Sequence, residues 1–340
     1  MRNLKTGNST NNRAAQWGAI FALAIGLTAA ANPAAAQQAT AQQSGPQLAS
    51  TQQPGSSGDV PVHMVVTVQP RHGGEAPALA ADDVKVFQRN SQDRVTSWVP
   101  LQGDRAGLQL FILIDDSSRV SLASQFSSIA KFIEEQPAST AIGVGYMRNG
   151  TVYTAQNLTT DHTLAAKALR LPLGNGAYAS PYLSLADLMK RWPESADRRE
   201  ILMITSGIDP LGGGFSNDPY ANPYLQTAVD HAQQGGFIVY SIYAPGIGRG
   251  GRGFRTILSQ TGLDVVSQRT GGEAYYLGFG APVDITPYLR DVSDRLRHQY
   301  GLTFMAKSTK KSVLQPVKVK TETPNTSLTT AEEGYVRSGM

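Results

Sequence analysis

The chain is 340 residues long, 41% hydrophobic and only 16% charged, a balance that supports a packed core and excludes a wholly disordered chain. The formal net charge of +4 falls to about +1 if a leader carrying Arg2, Lys5 and Arg13 is removed, and no basic patch interleaves with aromatics, so nucleic-acid binding is not expected. Cysteine is absent, which excludes disulfides, thiolate chemistry, Cys-ligated zinc and a lipidated cysteine anchor.

Residues 1–36 read as an export signal: a basic start, an apolar run over 17–31, then Ala34-Ala35-Ala36 before Gln37. A membrane anchor is the alternative, but the apolar run is shorter than the ~20 residues a spanning helix needs. Residues 37–59, rich in Gln, Ser, Gly, Pro and Ala, read as a flexible leader. Residues 60–100 read as β: Val62, Met64, Val66 and Val68 alternate with polar or smaller residues, and two more short strands follow over 82–87 and 95–99. They are too few to be stable alone.

From residue 107 strands alternate with helices. Residues 108–118 open as an apolar run interrupted only by Gln109, the mark of a strand buried on both faces, and close on Asp115, Asp116, Ser117 and Ser118. A helix is expected over 121–135, with Leu122, Phe126, Ile129 and Ile133 on one face. Strands over 141–147 and 151–156 flank an Asn149-Gly150 hairpin turn. Helices are expected over 161–169, 181–192 and 222–234, over 254–268 with an interruption near Gly262, and over 284–300; strands are expected over 200–205, 237–243 and 273–277. This alternation predicts an open, mostly parallel α/β sheet with helices on both faces. The tail, residues 301–340, returns to β with short strands over 302–305, 317–321 and 335–336, which are expected to pair with 60–100 into a small β module.

The polar end of residues 108–118 is the strongest chemical signal. Carboxylate and hydroxyl oxygens spaced along one loop suit a hard cation such as Mg²⁺. The same residues also suit a helix N-terminus. Residues 245–253 contain a Gly-x-Gly-x-x-Gly, which either admits a phosphate or forms a mobile rim loop whose Arg249 and Arg252 meet an acidic partner. Residues 211–223 form a second long loop, whose Phe215 and Tyr220 either contact a protein or glycan or tuck onto the sheet. The five histidines show no ligand spacing, and neither a Gly-x-Ser-x-Gly elbow nor a Walker loop is present.

Residues 107–300, with their Asp115-x-Ser117 strand end, resemble the von Willebrand factor A-type (VWA) domain. The resemblance is closest to a bacterial group of secreted VWA-related proteins with β flanks. It implies a VWA-like, Rossmann-type open sheet. It also implies a metal-ion-dependent adhesion site built from Asp-x-Ser-x-Ser, a threonine on a second loop and an aspartate ending a later strand. Asp115 and Ser117 match the first element, while Arg119 stands at its third position. Ser180 falls at the threonine position and Ser206 at the second aspartate, with Asp209 three residues on as a substitute. The resemblance therefore implies a degenerate site, holding Mg²⁺ weakly or no cofactor, on an exported, non-enzymatic module that binds a protein or glycan. A structural part of a cell-envelope assembly is the alternative, and an enzyme using the rim as a phosphate or hydrolytic site is a further one. If the leader is cleaved after Ala36, mass spectrometry of native protein will find an N-terminus at or near Gln37; an intact Met1 in a cytoplasmic fraction would refute export.

Overall fold

The structure, a computed structural model, describes residues 58–118, 120–174, 180–212, 219–245, 253–276 and 283–338. The expected export signal and most of the leader, with Arg119, Phe215, Arg249 and Arg252, lie outside the described residues. In chain order the elements are β1 (Asp59–Pro70), β2 (Val84–Gln88), β3 (Ser91–Pro100), β4 (Leu108–Asp115), α1 (Phe126–Glu134), β5 (Thr140–Arg148), β6 (Thr151–Thr159), α2 (His162–Lys167), α3 (Pro181–Lys190) and β7 (Arg198–Thr205). There follow α4 (Pro223–Gly235), β8 (Phe237–Tyr243), α5 (Phe254–Thr270), β9 (Ala274–Tyr275), α6 (Thr286–Arg297), β10 (Gln299–Lys307), β11 (Val313–Thr321), β12 (Thr326–Thr330) and β13 (Glu333–Val336).

Two sheets result. One has the order β6-β5-β4-β7-β8-β9, parallel throughout except for the antiparallel edge strand β6. Counted from β4 this is the doubly wound order 3-2-1-4-5-6, whose switch point lies between β4 and β7. All eight β4 residues are buried, and their side chains alternate between two cores. Leu110, Ile112 and Ile114 pack with Ile129 and Ile133 of α1 and Leu289 and Val292 of α6. Phe111 and Leu113 pack on the other face with Leu185 of α3, Val229 of α4 and Leu263 of α5. Each such side chain contributes about 1.5–3 kcal/mol by leaving water. The fold is the VWA-like open α/β sheet that the sequence predicts.

The second sheet is antiparallel, in the order β12-β1-β10-β3-β2-β11-β13. It joins strands from both flanks of the α/β unit around Val66, Val86, Phe304 and Val336, which is the small β module expected from the two ends. The cause is pairing: β10 continues from α6 and inserts between β1 and β3, so neither flank completes its ladder without the other.

Local expectations differ in three places. The helix expected from residue 121 begins at Phe126, after a 3-10 turn over Val120–Gln125, where Ser124 and Gln125 bond each other rather than capping a regular first turn. Helix α5 runs through Gly262 unbroken, because Gly262 lies against the Tyr182 hydroxyl, and a Cβ there would come within 2.2 Å of it. Strand β12 has no counterpart in the sequence reading: its Thr-Ser-Leu-Thr-Thr run lacks apolar alternation and is held by register with β1.

Glu200, near the start of β7, is fully buried beside the polar side chains of Tyr240 and Gln299. Burial pushes its pKa up, and the charge of Arg198 pulls back less strongly. The unfolded chain ionises this group first. Its favourable contribution is therefore complete below the ordinary carboxyl pKa and is lost as pH rises through the raised folded value. Glu200→Gln removes that loss. In urea unfolding, the variant should gain on wild type between pH 5 and pH 8; a gap that does not change with pH would contradict this.

Candidate functional site

The carboxyl ends of β4 and β7 meet at the switch point and carry the candidate site. Asp115 ends β4 and is wholly buried. Its Oδ1 accepts from the Ser117 N–H at 2.8 Å and the Ser117 hydroxyl at 2.6 Å, and its Oδ2 accepts from the Thr205 hydroxyl at 2.8 Å. Burial raises the Asp115 pKa, while the bonds from Ser117, Thr205 and the Ser206 N–H partly offset it. The Thr205 hydroxyl also accepts from the Gly207 N–H at 3.2 Å, which ties the two strand ends into one turn. Gly207 is required there: its φ is +68°, and a Cβ would approach the Ser259 carbonyl to 2.7 Å.

The adjacent Asp116 has different partners. Arg170 grips it with both terminal nitrogens, at 2.7 Å to Oδ1 and 2.9 Å to Oδ2. Arg148 donates to Oδ2 from Nε at 3.2 Å and Nη2 at 3.0 Å, and the Leu173 N–H donates at 3.0 Å. The Arg170 guanidinium lies over the Tyr146 ring, 3.7 Å from its centroid. Burial alone would raise the Asp116 pKa, but the bonds from Arg170, Leu173 and Arg148 outweigh it and hold the carboxyl below its ordinary range.

Ser180 stands at the N-cap of α3 but does not cap that helix. Its buried hydroxyl instead donates to Asp209 Oδ1 at 2.6 Å. Asp209 also accepts from the Leu211 N–H at 3.1 Å and from Asn222 Nδ2 at 3.1 Å. Asn222 in turn caps α4, its Oδ1 accepting from the Tyr224 and Leu225 N–H groups. The site residues thus form two clusters, Asp115-Ser117-Thr205 and Ser180-Asp209-Asn222, with no hydrogen bond between them among the described residues. Ser206 Oγ accepts from the Ile208 N–H at 3.4 Å and belongs to neither.

This donor set fits a divalent cation poorly. Mg²⁺ favours several oxygen ligands, carboxylates above all, in near-octahedral array. Both Asp115 oxygens are already hydrogen-bonded, Ser206 offers only a hydroxyl, and Asp209 faces Ser180 and Asn222. Among the described residues no group of three or more His, Cys, Asp or Glu side chains could share a metal ion.

Thr205, Asn222, Arg148 and Arg170 are absent from the site as read from sequence. Asn222 before Pro223 carries a helix-cap signal that could have found it. The two arginines carry none, lying 32 and 54 positions from Asp116. Around these clusters the rim exposes large apolar side chains: Tyr220 is 80% exposed, Phe254 73% and Leu211 51%. Tyr220 therefore does not tuck onto the sheet.

No protein-family model matches the chain, and no curated protein does. Among solved structures the chain is similar to the conserved hypothetical protein BatB from Bacteroides thetaiotaomicron, at 14% identity over 56% of this chain and 97% of that one, with a TM-score of 0.40. It is also similar to the VWA domain of SpRpn10 (12% identity, 54% of this chain and 94% of that one, TM-score 0.37). A third is the vWF domain of the type V pili tip protein Mfa5 from Porphyromonas gingivalis (10% identity, 58% and 95%, TM-score 0.38). The order of the strands by itself establishes a doubly wound, Rossmann-type open sheet, the sheet that the VWA resemblance implies. No helix among the described residues is long and apolar enough to cross a membrane.

Asp116→Asn removes a buried charge from two arginines that keep about a third of their surface in water. The expected cost is about 2–4 kcal/mol at neutral pH by urea unfolding. The Asp116 contribution is present above the ordinary carboxyl pKa and lost as pH falls through the lowered folded value, so the gap should close in acid. Equal stability at pH 7 would refute the clamp.

Proposed function

We propose that this protein is an exported, non-enzymatic binding module that takes a protein or glycan ligand on the carboxyl rim of its VWA-like sheet, with a degenerate metal site that contributes little. The observation that carries this reading is the rim's composition. The carboxylates of Asp115 and Asp209 are each bonded within their own cluster of hydroxyls and amides, while Tyr220, Phe254 and Leu211 stand exposed around them. Aromatic side chains of this kind anchor interfaces. Against a hydrolytic role, the Ser117 and Ser180 hydroxyls donate to carboxylates rather than to a histidine base. Open α/β sheets as a class bind ligands at this edge, which supports the reading.

Capture from envelope extracts tests the reading. Tyr220→Ser combined with Phe254→Ser should abolish a capture that wild type achieves, and chelating divalent metal should not. Undiminished capture by the double variant would remove the rim from consideration.

Calorimetric titration tests the metal separately. Wild type should bind Mg²⁺ with a dissociation constant of about 1 mM or poorer. Ser206→Asp with Arg119→Ser restores a carboxylate and removes a cation from the family's ligand positions, and should strengthen binding more than either change alone. Micromolar binding by wild type would overturn the degenerate-site reading.

A further inference from the structure

A cavity of about 520 Å³ lies where the seven-stranded sheet meets the amino-terminal ends of β7 and β8. It is at the opposite end of the parallel strands from Asp115, so nothing in it belongs to the rim. Val60 and Met64 of β1, Ile238 of β8 and Tyr335 of β13 supply apolar wall. Its charged lining is Arg199, Arg337 and Glu333, and Glu333 leans away toward Arg269 at 3.9 Å.

Arg199 is the unusual member. It is half-buried, and its guanidinium lies over the Phe237 ring, 4.9 Å from the centroid. Among the described residues no carboxylate pairs with it. Burial depresses its pKa with no acid to offset the effect. A partly dehydrated cation without a counter-ion is costly, and an anion arriving from solvent relieves that cost. The planar guanidinium fork matches a carboxylate with two parallel hydrogen bonds. The apolar part of the wall suits an apolar tail, beside polar lining from His63, Gln233, Gln234, Thr270 and Ser338, and the volume falls within the roughly 300–1,000 Å³ of small-molecule pockets.

We propose that this cavity is a binding site for a small amphipathic carboxylate, its head group on Arg199 and its chain against Val60, Met64, Ile238 and Tyr335. The site is independent of the rim and of any metal.

The test is calorimetric titration of the full chain with decanoate and with decanol, which share a tail and differ in charge. Wild type should bind decanoate saturably, and decanol at least about tenfold more weakly, the worth of one charge-assisted contact. Arg199→Gln should lower decanoate affinity about tenfold and leave decanol unchanged, while Arg199→Lys keeps part of the preference. Circular dichroism checks that the variants fold; if Arg199→Gln does not, the decanoate–decanol contrast in wild type still decides. Absence of saturable decanoate binding, equal binding of the alcohol, or full decanoate affinity in folded Arg199→Gln would each overturn the proposal.

Discussion

A carboxylate at the end of a strand buried on both faces has to be solvated by the protein itself. That constraint, at Asp115, shapes the rim. With all of β4 sealed between two helix layers, no water reaches the side chain, and leaving it unpaired would cost several kcal/mol. The chain meets the demand with donors from two strand ends. Ser117 turns back from the residues just after β4, and Thr205 reaches across from β7. The pairing of β4 with β7 at the switch point is thus also what completes the hydrogen bonding of Asp115. Thr205 can serve because Gly207 permits the left-handed turn that folds the next residues over the strand end.

Neighbouring aspartates in one tight turn experience opposite electrostatics. Asp115 receives neutral donors, and burial dominates; Asp116 receives two guanidinium groups, and their bonds dominate. The difference fixes the loops. Because Arg170 and the Leu173 N–H converge on Asp116, and the Gly174 N–H donates to its carbonyl at 2.9 Å, residues 170–174 are drawn onto the strand end. Arg148 brings in the end of β5 as well. A small set of charge-assisted contacts therefore organises three separate chain segments, each bond stronger than a neutral one.

The sequence makes the architecture legible where physics is local. An apolar run over 108–114, interrupted only by Gln109 and ending in polar turn residues, reads as a strand covered on both faces, and Asn149-Gly150 supplies the two positive φ angles, 52° and 73°, that a tight hairpin needs. Signals fail where tertiary context overrides them. Gly262 reads as a helix break, yet its lack of a Cβ is what lets α5 pass the Tyr182 hydroxyl. Strand β12 has no amphipathic pattern and exists because β1 offers an edge. The chemistry at the strand ends is half legible. Asp115, Ser117 and Ser180 stand out by their places after a strand or before a helix. Thr205 is hidden within the β7 run, and the arginines around Asp116 are remote in sequence.

Moving a carboxylate by three positions changes what a rim of this kind can do. At position 206 the resemblance expects an acid that would share a cation with Asp115; here that residue is serine, and the acid is Asp209. Beyond Gly207 the backbone has already turned, and Asp209 finds Ser180 and Asn222, the residues heading α3 and α4. A bridging cation would have to break one hydroxyl–carboxylate bond in each cluster and then hold the two acids without further protein carboxylates, against the strong hydration of Mg²⁺. The same bonds that make a cation unfavourable also lock the heads of α3 and α4 to the end of β7. The heads of α3 and α4 are thereby fixed to the turn after β7 by the protein's own hydroxyls and amides rather than by a shared cation.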